Sequence, residues 1–325
     1  LGDVYKRQLL FRAIMGLAEG PILPLSQSLM VEASSPHRRG LNMGLLQGSA
    51  AGLLGAVIGP PVLIALAEAY GWRHAFIISL IPGLLIALLI WRYVQPDPPR
   101  HEPRAHTPSS PGGSHRLALL KSRNIVLCTL ISCVFLTWFI ILISFTPTFL
   151  VKVRDYSPAS MGTVMSCLGG AWVLWGFGVP AISDRLGRRP TLVLFSLIAA
   201  CCPIALLYAS SPWMLGVLML LTYTGLGCFT LFMATIPAET VPREVMATAL
   251  GMIMGIGELV GGFIAPTIAG FAADRFGLSI VMWMSCGGAL LAAVLALFLK
   301  ETAPAVLARP VSYTHLRAHE TSLHL

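Results

Sequence analysis

"EASSPHRRGLNMGLLQG", Glu32 to Gly48, returns later in the chain as "ETVPREVMATALGMIMG", Glu239 to Gly255. Glu32 aligns with Glu239, Gly44 with Gly251 and Gly48 with Gly255, all 207 residues apart. After a slip of one residue, Pro60 aligns with Pro266, Glu68 with Asp274 and Gly71 with Gly277. Two helices and their flanking loops are therefore repeated in the same orientation. Parallel repetition of helix bundles is a common way of building membrane transport proteins.

The composition agrees with a membrane setting. Of 325 residues, 56 % are hydrophobic and 11 % charged, against about one quarter charged in soluble domains. The charge-free runs Ile125 to Val151, Ser157 to Ser183 and Phe276 to Leu299 each exceed the roughly 20 residues that a helix needs to cross the hydrocarbon core. The run Pro190 to Ala238 is long enough for two helices, with a turn at "ASSPW", Ala209 to Trp213. Spans are predicted near 9–31, 40–66, 74–95, 124–150, 159–183, 190–209, 213–237, 246–272 and 278–299. All seven cysteines lie within them and read as small apolar packing residues, with no metal-ligand spacing.

Basic residues fix the orientation, because Lys and Arg near span ends stay cytoplasmic. One set of loops carries Arg38, Arg39, Arg92, Arg100, Arg104, Arg116, Lys121, Arg123, Arg185, Arg188, Arg189 and Arg243; the alternate set has only Arg73, Lys152, Arg154 and Arg275. The first set is cytoplasmic by this rule. The formal net charge of +8 is explained by the same bias, so no nucleic-acid partner is implied.

The repeat divides the chain. The second copy has three spans ahead of its repeated pair, and the first has none. The expectation is a partial N-terminal bundle over 9–95, holding helices 4 to 6. A Pro-, Ser- and Arg-rich cytoplasmic linker over 96–123 leads to a six-helix C-terminal bundle over 124–300, holding helices 7 to 12, and a cytoplasmic tail over 301–310. Three helices, roughly 90 residues, would precede Leu9. The termini, 1–8 and 311–325, are polar, resemble translated sequencing-adapter read-through and are set aside. That exclusion covers His315, His319 and His324, so no metal site is expected.

Two further stretches carry a family resemblance. "DRLGRRP", Asp184 to Pro190, lies between two spans on the cytoplasmic side and resembles the signature loop of the major facilitator superfamily. The glycine that the family places four residues before the aspartate is Pro180 here. The resemblance implies an all-α integral membrane fold of two bundles. It also allows Asp184, Arg185, Arg188 and Glu239 to latch the cytoplasmic helix ends, although the arginines equally serve topology. In helix 5, "GLLGAVIGPPV", Gly52 to Val62, resembles part of the superfamily's antiporter motif at Gly55, Gly59 and Pro60.

"FRAIMGLAEGPILP", Phe11 to Pro24, places two ions in helix 4. Arg12 and Glu19 are seven residues apart, nearly two turns, so they project from one face about 10 Å apart along the axis. Ions within a span face a cavity or a partner, and a carboxylate in an apolar cavity titrates closer to neutral pH. The arrangement of Arg12, Gly16, Glu19, Gly20 and Pro24 resembles helix 4 of the anion:cation symporter branch, the sialin-like and sugar-acid transporters. That likeness implies proton coupling at Glu19 and anion handling at Arg12. Glu258 in helix 11 is a second candidate proton site, and Gln47, Thr137, Trp138, Trp172 and Tyr223 are candidate substrate contacts.

The reading is a secondary transporter, a proton:organic-anion symporter working as a monomer in a bacterial inner membrane. Its partners would be a small-molecule substrate, protons and the lipid bilayer, with no cofactor. The alternative is an efflux antiporter of the same fold. No nucleotide-binding glycine loop or catalytic triad is visible, so the sequence gives an enzyme nothing to work with.

Overall fold

The computed structural model describes residues 2–49, 51–94 and 121–308. Most of the expected linker and all of the terminal stretch 311–325 fall outside them. The described residues form helices throughout: α1 (Lys6–Ala33), α3 (Trp72–Tyr93), α4 (Arg123–Lys152), α5 (Pro158–Leu186), α6 (Arg188–Tyr208), α7 (Pro212–Thr240), α8 (Arg243–Phe276) and α9 (Leu278–Ala296). Each of these eight is long and apolar enough to cross a membrane. Between α1 and α3 lies α2, assembled from Arg39–Gly44, π-helical Leu45–Ser49 and Ala51–Ile58, and Gly59–Tyr70. These helices match the expected spans to within a few residues. Helix also extends back to Gly2, into the stretch set aside as foreign.

Local chemistry explains the breaks. α1 is interrupted at Gly20 and Pro21, where proline cannot donate to the ladder. α5 and α7 open on a proline whose preceding serine, Ser157 or Ser211, caps the helix with its hydroxyl. The matched Gly71 and Gly277 both adopt left-handed backbone, φ +82° and +83°, and each turns the chain directly into the next helix. The repeat thus preserves the residue that reaches this conformation without a Cβ clash.

The one-residue slip also has a structural counterpart. An i→i+5 turn holds one residue more than an α-turn. The first copy has 12 residues from Gly48 to Pro60, the second 11 from Gly255 to Pro266. Correspondingly, more of α2 than of α8 is π-helical among the described residues, Leu45–Ser49 and Ala51–Ile58 against Glu258–Ile264 ahead of Pro266.

The main core belongs to α4–α9, around Phe135, Trp138, Phe139, Tyr223, Phe229 and Phe232. At its outer end Arg154 donates to the carbonyls of Leu207 and Ala209, closing the C-terminus of α6. One of the few basic residues on the outer side is therefore a helix cap. By contrast, α3 is exposed over nearly all of its length and α1 over its first part, residues 6–22.

The N-terminal part docks on the core through backbone contact. α2 lies on α5 so closely that a Cβ on Gly44 would sit 2.5 Å from the Gly176 oxygen, and one on Gly48 would fall on the Gly176 Cα. Small residues at four-residue spacing permit this approach. Their repeat partners in α8, Gly251 and Gly255, face open space.

Gly48→Leu should force α2 off α5, an overpacking cost of about 1–3 kcal/mol. Thermal unfolding in detergent should show a lower midpoint for it than for Gly55→Leu, whose site has open space around it.

Candidate functional site

The densest polar cluster joins the ends of α2, α5, α6 and α7 at the cytoplasmic side. Asp184 stands half a turn before the end of α5; Gly187, at φ +111°, reverses the chain, and Arg188 opens α6. The spacing of four lets Arg188 reach back to Asp184, Nη1 to Oδ1 at 2.6 Å. Nη1 also donates to the Ser183 hydroxyl at 2.7 Å. On its other edge the guanidinium meets Glu239 of α7 in a two-point bond, Nη2 to Oε1 at 2.9 Å and Nε to Oε2 at 3.2 Å. Arg188 is 1 % exposed. A buried cation is tolerated only when carboxylates and hydrogen bonds surround it, and both conditions are met.

Asp184 carries the contact across to the N-terminal part. Its Oδ1 accepts from the Gly40 amide at 3.1 Å and its Oδ2 from the Leu41 amide at 3.0 Å. Both amides lie in the first turn of α2, where N–H groups lack intrahelical partners and the helix dipole favours an anion. Gly40 is required, since a Cβ there would lie 2.7 Å from the Asp184 carboxylate.

Beneath this bond Val31, Met43, Ala234, Ala238, Met246 and Leu250 form a buried apolar plug from α1, α2, α7 and α8. The ion cluster and the plug lie together at the end of the bundle that the basic loops assign to the cytoplasmic side. Arg185 lines the wall of a cavity of about 730 Å³ together with His37, Arg38, Leu41 and Asp184.

Next to the plug, Gln27 donates through Nε2 to Gln47 Oε1 at 2.9 Å. Both side chains are buried, and the Gln27 carbonyl has no donor among the described residues. Gln47 was expected as a substrate contact; Gln27, an unremarked amide in an apolar run, was not.

The other candidates are dispersed. Trp138 and Tyr223 are wholly enclosed, their rings 4.9 Å apart, with Trp138 Nε1 donating to the Ala199 carbonyl at 3.0 Å. Trp172 stacks on Phe139 at 5.6 Å and also lies against Gly52 of α2. Thr137 bonds to its own helix at Cys133. Glu258 is exposed and folds back over Gly262 at the start of the π-helical stretch in α8. Arg12 and Glu19 lie exposed on α1, and the groove beside them is lined by Gly16, Gly20, Pro24, Ala247 and Gly251.

Three residues that the sequence reading left unassigned complete the ion cluster. Thr302 donates to Glu239 Oε2 at 2.7 Å, Glu301 accepts the Arg188 amide at 2.7 Å, and Asn124 holds the Lys300 backbone. They sit as isolated polar residues at the ends of spans, where no periodicity marks them.

This architecture has known counterparts. Residues 8–266 match the Major Facilitator Superfamily. The chain belongs to this superfamily. It is 25 % identical over 312 residues to a hexuronate transporter of Bacillus subtilis, covering 89 % of this chain and 71 % of that protein. It is 24 % identical over 284 residues to the multidrug resistance protein MdtG of Enterobacter lignolyticus, covering 84 % and 64 %. Among solved structures, the proton:xylose symporter XylE superposes with a TM-score of 0.65 at 17 % identity, over 86 % of this chain and 68 % of that one. The superposition establishes the fold, a multi-span all-α bundle. The chain thus spans about two thirds of the length of these proteins.

Arg188→Ala should leave Asp184 and Glu239 buried without their cation, a loss of about 3–5 kcal/mol. A Met43→Cys reporter, in a background without the native cysteines, should then react faster with a thiol reagent applied from the cytoplasmic side.

Proposed function

We propose that this protein is a secondary transporter that moves a small organic anion, a carboxylate or sugar acid, together with protons by alternating access. The observation carrying the mechanism is the bond between Asp184 and the first turn of α2. It joins the N-terminal and C-terminal parts at one end by a contact that can be made and broken as a unit. With the plug, it describes a transporter closed to the cytoplasm. Opening requires α2 to leave Asp184 and the plug to separate, the rocking expected of two bundles about a central site.

The substrate class rests on the helix 4 pattern of Arg12 and Glu19 and on the hexuronate relative. In this reading Glu19 carries the proton and Arg12 steers the anion, while Glu258 is a second proton site. Gln47, Thr137 and Trp172 line the substrate path, Trp138 and Tyr223 back it from within the core, and Asp184, Arg185, Arg188 and Glu239 form the gate. α1 to α9 act as helices 4 to 12 of a twelve-helix monomer in a bacterial inner membrane. Support for that register comes from Gly251 and Gly255, which lie open where Gly44 and Gly48 are packed. An efflux antiporter is the second reading, favoured by the MdtG relative and the Gly55–Pro60 pattern of α2.

Glu19→Gln should abolish hexuronate accumulation driven by an inward proton gradient while preserving part of the substrate exchange, both measured in membrane vesicles. Wild-type behaviour of the variant in both assays contradicts the proton role. Extrusion of a toxic compound, with no gradient-driven uptake in the unmodified protein, supports the antiporter.

A further inference from the structure

We propose that the segment after α9, Lys300 to Leu307, is a clasp on the cytoplasmic gate, with Glu301 and Thr302 as positioning residues that act through Arg188. This rests on the reading of the Asp184 contact as a gate.

Glu301 accepts four amides. Its Oε1 takes Arg188 N at 2.7 Å, Thr302 N at 3.0 Å and Ala303 N at 2.9 Å, and its Oε2 takes Arg189 N at 3.1 Å. Two of these are orphan donors at the N-terminus of α6, so the carboxylate both caps that helix and meets the positive end of its dipole. Gly187 makes room, because a Cβ there would lie 2.6 Å from Glu301 Oε2. Thr302 adds its hydroxyl to the Glu239 oxygen that also receives Arg188 Nε. The backbone of Lys300 is gripped at both polar atoms by Asn124, through Oδ1 at 2.9 Å and Nδ2 at 3.1 Å.

The order of contacts gives the clasp its role. Glu301 fixes the backbone from which Arg188 projects, and Thr302 fixes the carboxylate on the far edge of its guanidinium. Arg188 in turn aims Asp184 at the first turn of α2. Of these polar bonds only the last crosses to the N-terminal part, so the clasp governs the gate without touching it. Beyond Thr302 the chain continues as the short helix Pro304–Leu307, and Ala305 joins His37 and Arg38 on the wall of the cavity beside the gate. A segment that merely ended the protein would need none of these bonds.

The test compares thiol reactivity of the Met43→Cys reporter, from the cytoplasmic side, in Glu301→Ala, Thr302→Val and Asp184→Asn. Loss of hydrogen bonds to a charged group should raise the labelling rate about tenfold in Glu301→Ala. Glu301→Gln, which keeps a carbonyl acceptor, should recover part of the closed state. Glu301→Ala should add little when Asp184→Asn is already present, since both act on one contact. Should Glu301→Ala fold poorly, Thr302→Val gives the same reading through a single hydroxyl and should also raise labelling. Faster labelling in Asp184→Asn with unchanged labelling in the Glu301 and Thr302 variants overturns the clasp and leaves the gate standing. Unchanged labelling in Asp184→Asn overturns the gate, and the clasp with it.

Discussion

A guanidinium removed from water at a helix junction is the constraint around which the cytoplasmic end is built. Arg188 is enclosed almost completely, and its burial is sustainable only with Asp184 on one edge, Glu239 on the other and Ser183 at hand. Ser183 and Asp184 come from α5 and Glu239 from α7, so satisfying one cation fixes the relative positions of α5, α6 and α7. Once Asp184 is held there, its two oxygens accept the Gly40 and Leu41 amides in the first turn of α2.

The remaining architecture follows from steric rather than electrostatic limits. Close contact of α2 with α5 needs glycine at 44 and 48, and in the plug Met43 and Met246 interdigitate with Val31, Leu250 and the small Ala234 and Ala238. A glycine contact holds backbones together at short range over a length of helix. The Asp184 bond and the plug hold only at one end. The α2–α5 contact is thus a steric seam along a helix, and the Asp184 bond a polar contact at one end.

The fold was legible because its signals are long. Charge-free runs set the spans, the asymmetry of basic residues set the orientation, and matched Gly71 and Gly277 marked two identical turns. Asp184, Arg188 and Glu239 were legible as charges at span ends, and the structure brings them within hydrogen-bonding distance. A topology determinant and a buried hub such as Arg188 look alike in sequence. Glu301, Thr302 and Asn124 were missed because one polar residue near a terminus has no period to detect. Trp138 and Tyr223 show the converse: an aromatic residue in a span has the same signature whether it lines a cavity or, as here, packs in a core. Arg12 and Glu19 stand exposed on α1, and their chemistry rests on the pattern of helix 4 rather than on a contact in the described fold.

The most direct measurement is the distance distribution between spin labels at His37 and Leu186, exposed positions on either side of the Asp184 contact, in the unmodified protein and in Asp184→Asn. If the aspartate holds the cytoplasmic ends together, the unmodified protein shows a dominant short distance and the variant gains a longer population. Identical distributions in the two would mean that the ends are held by something other than Asp184, and the gate described here would be wrong.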